Sequence, residues 1–490
     1  MAEPSAKPRM ELLSRDQLDR IHEATLTLLE RTGVKVKEPR AFALLKESGC
    51  EIEPPRELVR IPRHLVGEAI RKNLRSFPWY GRRAADTIQV GEGRTKLGPG
   101  SSCTHLIDLD TGKPRAATSK DAIDCVRLMD ALEHVSINFT PVSVREHPPQ
   151  AESIIELALD LNHTTKCLDG GSFNGQVARD SLRIGAILAG GEEELRKRPT
   201  LAGYVDPVSP LVHDRTMTET LLEYASMGQP LFLTCLDLAG ASAPVTLAGT
   251  LVQQNAEVLS GLVIAKLANP RVPVIYGTVS SAMDLRAGTA ASGGPEATLL
   301  SIASVQLAHS YGMPATACAQ SDAKIPDAQA AYEKALGLAA AVWAGADLVD
   351  LYIGSFEAFN TWALEQAVID NEVAGMVFRV ADGLALDEEA FALPHLDRIG
   401  AGGNFLADQA ALRFTMARLR GEHWLPALTD RRSRAAWESA ASRDLRTAAR
   451  ERARQILKDH VVEPLDPSVA RAIQAIVDEV VRRELKGRVA

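Results

Sequence analysis

Residues Ala315 to Glu357 read ATACAQSDAKIPDAQAAYEKALGLAAAVWAGADLVDLYIGSFE. A short apolar run closes on Cys318, Gln320, Ser321 and Asp322. An Ala-rich stretch of helical character follows, and then a second apolar run, ADLVDLYI, closes on Ser355, Phe356 and Glu357. Short apolar runs of this kind read as buried strands, and two of them joined by a helix read as a βαβ unit. The rhythm extends back to Val135, through VSINFTPVS, TTKCLDGGSF, TLAGYVDPVSP, PLFLTCLDLAG and VPVIYGTVSSAMD, with helical stretches such as AESIIELALDL and PEATLLSIASVQLAHSYG between them. About seven units in a row favour an α/β fold of the closed (β/α)8 type, a TIM barrel, over an open sheet. No eighth strand stands out. The segment before Val135 and the region near Phe378 are the two places to look for it.

Upstream, Ser14 with Gln17 forms a capping box. Leu18, Ile21, Thr25, Leu28 and Leu29 then share one helical face until Gly33. Pro-marked turns and short strands such as GEGRTKLGPGSSCTHLIDLDTGKPR carry the chain to Val135. Three parts are expected: residues 1–134 as a helical and β-containing lead-in, 135–385 as the (β/α)8 core, and 386–490 as a C-terminal helical cap that packs on the barrel or on a neighbouring subunit.

Composition excludes several classes. A net charge of -8, with arginines that alternate with acids near the C-terminus, describes a solvated face and no nucleic-acid-binding stripe. The six cysteines are scattered, with no CxxC pair and no histidine at metal-ligand spacing, so neither a disulfide framework nor a metal site is expected. The first residues lack an apolar signal core and the longest apolar runs are too short to span a bilayer, so a cytoplasmic protein without membrane partners is expected.

In a (β/α)8 barrel the active site lies at the C-terminal ends of the strands. Those ends carry Ser143, Ser172, Asp206, Asp237, Ser280, Asp284, Gln320, Ser321, Asp322 and Glu357. They hold no concentration of His or Lys and no Ser-His-Asp trio, which argues against hydrolases, Schiff-base aldolases and metal-dependent barrels. What remains is a cup of small residues, carboxylates and rings. Tyr80, Tyr204, Phe232, Tyr276, Phe356, Phe359 and Trp362 are available to face a compact cation, at about 0.5–2 kcal/mol per good contact. Each ring also has a plain reading as core packing. Phe356, Phe359 and Trp362, directly after a strand end, are the preferred three.

The stretch from Tyr276 to Lys334, together with PVTLAGTLVQQNAEVLSG (Pro244 to Gly261), EQAVIDNEVAGM (Glu365 to Met376) and IDLDTGKPRAATSKDAIDCVRLMDAL (Ile107 to Leu132), resembles the trimethylamine methyltransferase family over nearly the whole chain. The resemblance implies a (β/α)8 barrel that moves a methyl group from a methylamine to the Co(I) centre of a separate corrinoid protein, with no cofactor held tightly by the chain itself. Founding members read an amber codon as pyrrolysine, whereas the segment around Cys318 to Asp322 holds only standard residues. Without that electrophile a quaternary amine is the expected donor, because it leaves as a neutral tertiary amine. Relatives without pyrrolysine include glycine betaine and carnitine-type demethylases. The expected catalytic residues are Gln320, Ser321, Asp322 and Glu357, and the expected substrate contacts are Tyr80, Tyr204, Tyr276, Asp284, Arg286, Phe356, Phe359 and Trp362. Asp322, Glu357 and Asp284 are expected to offset the ammonium charge or, equally, to bind a helix N-terminus or Arg286. Arg286 suits a substrate carboxylate, with a salt bridge to Asp284 as its structural alternative. Gln254, Asn255 and Glu257 line the mouth or brace helix packing. Relatives often carry histidines in the Gly-rich segment, where this chain has Asn404 and Gln409. A donor of another kind, sulfonium or methoxy, and a non-catalytic osmolyte-binding barrel are the alternatives. The long apolar helices and helical C-terminus point to a homo-oligomer.

Overall fold

Lys96–Pro99, inside the segment read as a lead-in, forms a parallel strand beside Leu348–Ile353, with Leu97 opposite Val349. The region near Phe378, the other place considered for an eighth strand, lies within the helix Leu364–Asp382. In this computed structural model, which describes residues 6–100 and 102–486, the parallel pairings run on in one direction. Leu97 bridges Val135, and Ile137 bridges Cys167. Leu168–Asp169 pairs with Leu201–Val205, which pairs with Leu231–Leu233 and then with Val274–Tyr276. Tyr276 bridges Ala315, and Thr316–Cys318 pairs with Leu348–Ile353, which returns to Lys96–Pro99. All of these contacts are parallel, so the strand C-termini share one face.

Helices follow the strands in turn: Ser119–Ala131, Pro149–His163, Gly175–Ala189, Arg215–Ser226, Leu247–Ala268, Pro295–Ser310, Ala328–Ala344 and Leu364–Asp382. Each packs on the next, and Leu364–Asp382 packs back on Ser119–Ala131. Their starts are written locally. Thr118 and Asp121 form a capping box, and Asn174, Asp214 and Asp327 accept hydrogen bonds from the first-turn amides of their helices. Leu247–Ala268 is apolar all round and is buried on almost every side from Thr250 to Lys266. Its outer side is covered by the expected N-terminal helix, Arg15–Arg31, and by Arg63–Lys72. The Ser14 capping box forms, and Leu18, Thr25 and Leu29 are buried together with Leu26, while Ile21 and Leu28 are half-buried.

The C-terminal helices dock on the outer layer. Leu445–Asp459 packs on Leu364–Asp382, where Arg446 and Arg450 reach the buried carboxylate of Glu365 at 3.2 and 3.1 Å. Pro467–Lys486 packs on Pro149–His163 and Gly175–Ala189, with Arg183 to Glu479 at 2.8 Å and Arg483 to Asp180 at 2.7 Å. No helix among the described residues is long and apolar enough to cross a membrane.

Candidate active site

At the shared C-terminal face of the parallel strands lies a cavity of about 340 Å³ whose walls carry Glu156, Asp160, Asp169 and Asp206 with Phe139 and Tyr204. The backbone supplies each group in a way the local sequence explains. Asp169 ends the strand Leu168–Asp169, Tyr204 lies near the end of Leu201–Val205, and Asp206 follows that strand directly. Glu156 and Asp160 sit four residues apart on Pro149–His163, so one face of that helix aims both carboxylates at the cavity.

Under this floor a fifth acid, Asp350, interrupts the apolar strand Leu348–Ile353 and is fully buried. It accepts hydrogen bonds from the Tyr204 hydroxyl and from Thr316 Oγ1. Thr234 Oγ1 donates to Asp206 in the same manner. Asp160 accepts from Thr140 Oγ1 at 2.6 Å and from the Thr140 amide at 3.1 Å. Between these threonines Gly277 holds the backbone close. A Cβ there would overlap the Thr234 methyl and lie 2.8 Å from that of Thr316, so any side chain would push both threonines off their carboxylates.

Burial disfavours charge on every one of these acids. It pushes Glu156 up to about 9, with Asp160 and Glu152 adding like-charge repulsion, and raises Asp160 and Asp350 to about 7 and Asp206 to about 6. Asp169 is raised well above the usual carboxylate range by burial, with repulsion from Asp160 adding to it. Hydrogen bonds from the threonines act in the opposite sense on Asp160 and Asp206. The aromatic wall is ordered: Tyr204 stacks on Phe232 with centroids 4.3 Å apart, and Phe139 meets Tyr204 edge-on at 6.5 Å.

Of the residues singled out from sequence, Tyr204 and the strand-end Asp206 and Ser172 line this cavity. The expected catalytic cluster lies beside it as a brace. Gln320 Nε2 donates to Ser355 Oγ at 2.9 Å and to the carbonyl of Leu351, itself a lining residue. Ser321 Oγ donates to Glu333 at 2.6 Å, and Asp322 accepts from the Ser292 and Gly293 amides at 3.0 Å each. Glu357 accepts from Thr361 Oγ1 at 2.6 Å in a turn where Glu357, Ala358 and Phe359 all have positive φ. Phe356 packs with Ile107 and Ala363, and Trp362 is buried with its indole donating to the Ile353 carbonyl at 3.0 Å.

Other expected contacts stand apart from the cavity. Tyr276 is buried and donates to Asn255, while Tyr80 lines a different cavity with Arg198 over its ring at 4.7 Å. Asp284 and Arg286 pair with each other at 3.0 Å on the surface, the structural alternative weighed for them. Gln254 and Asn255 brace: Gln254 bonds Ser304 and Thr278 at 2.7 Å each, and Asn255 donates to Tyr311 at 2.8 Å. Glu257 accepts from Ser209 at 2.9 Å and from the Leu211 amide at 2.8 Å. Asn404 and Gln409 are exposed in and just after the Gly-rich segment. Among the described residues no group of three or more His, Cys, Asp and Glu is arranged to hold a metal ion.

The sequence matches the family model for trimethylamine methyltransferase over residues 3–486. The chain belongs to the trimethylamine methyltransferase family. It is 35% identical over 478 residues to trimethylamine methyltransferase MttB of Methanosarcina barkeri, covering 96% of this chain and 95% of that protein. It is 31% identical over 474 residues to the glycine betaine methyltransferase of Desulfitobacterium hafniense strain Y51, covering 96% and 97%. The crystal structure of the Methanosarcina barkeri monomethylamine methyltransferase MtmB has the same fold at a TM-score of 0.56 and 12% identity, over 93% of this chain and 89% of that one.

Proposed function

We propose that this family member moves a methyl group from a quaternary amine to the Co(I) of a corrinoid held by a separate protein, and that its parallel strands close a (β/α)8 barrel. The observation that carries the reading is the acid-and-aromatic cavity at the strand C-termini, in a chain whose relatives include a glycine betaine methyltransferase. The unbroken succession of parallel pairings and the succession of helices support the barrel. The proposed division keeps a lead-in to residue 134, a core over 135–385 and a helical segment from 386, with Lys96–Pro99 lent to the core by the lead-in.

The corrinoid supplies a strong nucleophile for the methyl carbon. The chain's own residues supply position. Tyr204 and Phe139 offer ring faces and edges to the ammonium, and the carboxylates set a negative potential around it. The C–N electron pair stays on nitrogen as that bond breaks, so a quaternary amine departs neutral and no proton donor is required. Positive charge on nitrogen disappears in the same step. A fully ionised acid cage would therefore hold the bound amine better than the transition state, and burial limits this by keeping part of the cage protonated.

The mouth suits a macromolecular methyl acceptor. Phe173, Val208, Leu236, Val245, Leu285 and Ile325 are all exposed on segments that follow the parallel strands. These side chains are the proposed docking face for that acceptor. A cytoplasmic homo-oligomer belongs to the same reading. The test is loss of Co(I) absorbance when the protein is mixed with reduced cobalamin and trimethylamine or a panel of quaternary amines. Turnover with a quaternary amine and none with trimethylamine is the expected result; turnover with trimethylamine alone overturns it.

A further inference from the structure

None of the described residues that line the acidic cavity is Lys, Arg or His. Three other cations of the fold are engaged elsewhere. Lys334 is paired at 2.8 Å with Asp370, both fully buried. Lys166 donates to the Met129 and Leu132 carbonyls at 2.8 Å each and faces a different cavity. Arg286, the residue that sequence alone offered to a substrate carboxylate, is on the surface with Asp284. The polar groups left for a substrate tail are hydroxyls, such as those of Ser172 and Thr140, and the acids themselves.

A betaine brings its own carboxylate, separated from the ammonium by only a few bonds. A betaine whose ammonium sits among Glu156, Asp160, Asp169 and Asp206 brings its carboxylate within a few bonds of those acids, with no Lys, Arg or His among the described lining residues to receive it. Asp206, raised only to about 6, is ionised at neutral pH and repels a carboxylate so placed. A cation with a hydroxyl or aliphatic tail has no such conflict.

We infer that the amine this site takes is a net cation, a quaternary ammonium with a neutral, hydroxyl-bearing or aliphatic tail, and that zwitterionic betaines are disfavoured by a described lining in which the acids have no Lys, Arg or His beside them. The inference rests on the proposed quaternary-amine reading and narrows it. It sets this chain apart from its glycine betaine methyltransferase relative.

The experiment is titration calorimetry of the full chain with choline, tetramethylammonium, glycine betaine and carnitine, run beside the cobalamin assay on the same four compounds. Choline or tetramethylammonium should bind at least about tenfold more tightly than either betaine, and Asp206→Asn should narrow that ratio at neutral pH by relieving repulsion toward the betaines. Glycine betaine or carnitine binding as tightly as choline, with turnover, overturns the inference and leaves the quaternary-amine reading intact. Neither binding nor turnover with any of the four overturns that reading and the inference together.

Discussion

Asp350 is a carboxylate inside an apolar strand, and its chemistry is set by what surrounds it. Burial raises it to about 7, against about 3.9 for a solvated aspartate. Below about pH 4 it is protonated whether the chain is folded or unfolded and does not affect the balance. As pH rises from there through about 7 the unfolded chain ionises first, so the folded state loses relative stability over that window. Asp350→Asn removes this dependence. Between about pH 5 and pH 8 its melting temperature should therefore rise relative to that of the parent, as measured by calorimetric scans; a difference independent of pH would mean that Asp350 ionises as readily folded as unfolded. At this scale the site was half legible. Tyr204 and Asp206 could be found because they sit where a strand ends. Glu156 and Asp160 were hidden, since on a helix they read as the polar face of an amphipathic pattern. Their four-residue spacing becomes meaningful only once Thr140 and Asp169 are known to stand opposite. Asp350 did carry a signal, an acid amid LVDLYI, that strand reading alone does not interpret.

Among the elements, the joint between Ala328–Ala344 and Leu364–Asp382 depends on one ion pair. Lys334 Nζ meets Asp370 at 2.8 Å and donates to the Tyr352 and Ser355 carbonyls at 2.5 and 2.6 Å, while Asp370 accepts from the Gly354 amide at 2.7 Å. The pair therefore fixes the end of the strand Leu348–Ile353 to both helices. Lys334→Met should destabilise by about 3–5 kcal/mol in denaturant titration, because Asp370 is left as a lone buried charge. Adding Asp370→Leu should recover much of that loss. The strand and helix order was readable because apolar runs and caps are local signals: the capping box at Ser14 announces its helix start, and short apolar runs announce the strands. The strand Lys96–Pro99 was not, because KLGP carries one bulky apolar residue and two backbone-special ones, and only its partners on both sides identify it. The three rings after Ser355 were misleading for a related reason. Proximity to a strand end says nothing about direction, and the left-handed turn at Glu357, Ala358 and Phe359 sends the chain back into an antiparallel pairing of Ser355–Phe356 with Thr361–Ala363.

For the whole molecule, the two exposed apolar regions should behave differently. The exposed apolar side chains that follow the parallel strands are the proposed docking face for a corrinoid protein, so Leu285→Glu, at a residue 72% exposed and outside the cavity lining, should raise the KM for such a protein several-fold while amine affinity measured by calorimetry stays unchanged. The segment from Leu384 to Leu425 leaves Leu386, Phe391, Leu393, Leu396 and Leu406 open to solvent, apolar side chains that a second copy of the chain could cover. Light scattering should return a mass of at least twice the chain, and Leu393→Glu combined with Leu396→Glu should reduce it.

The partnership of Leu97 with Val349 has a consequence for how this protein is made. The two are 252 positions apart in the chain, yet Lys96–Pro99 has a neighbour on each side only when both Val135 and Leu348–Ile353 are in place. A nascent chain emerging from the ribosome carries an apolar edge until most of its length has been synthesised. Long-range closure of this sort is slow, so the time spent with that edge uncovered is set by the rate of translation as well as by folding. Expression at lower temperature or with chaperones in excess should therefore change the yield of soluble protein more than its final stability.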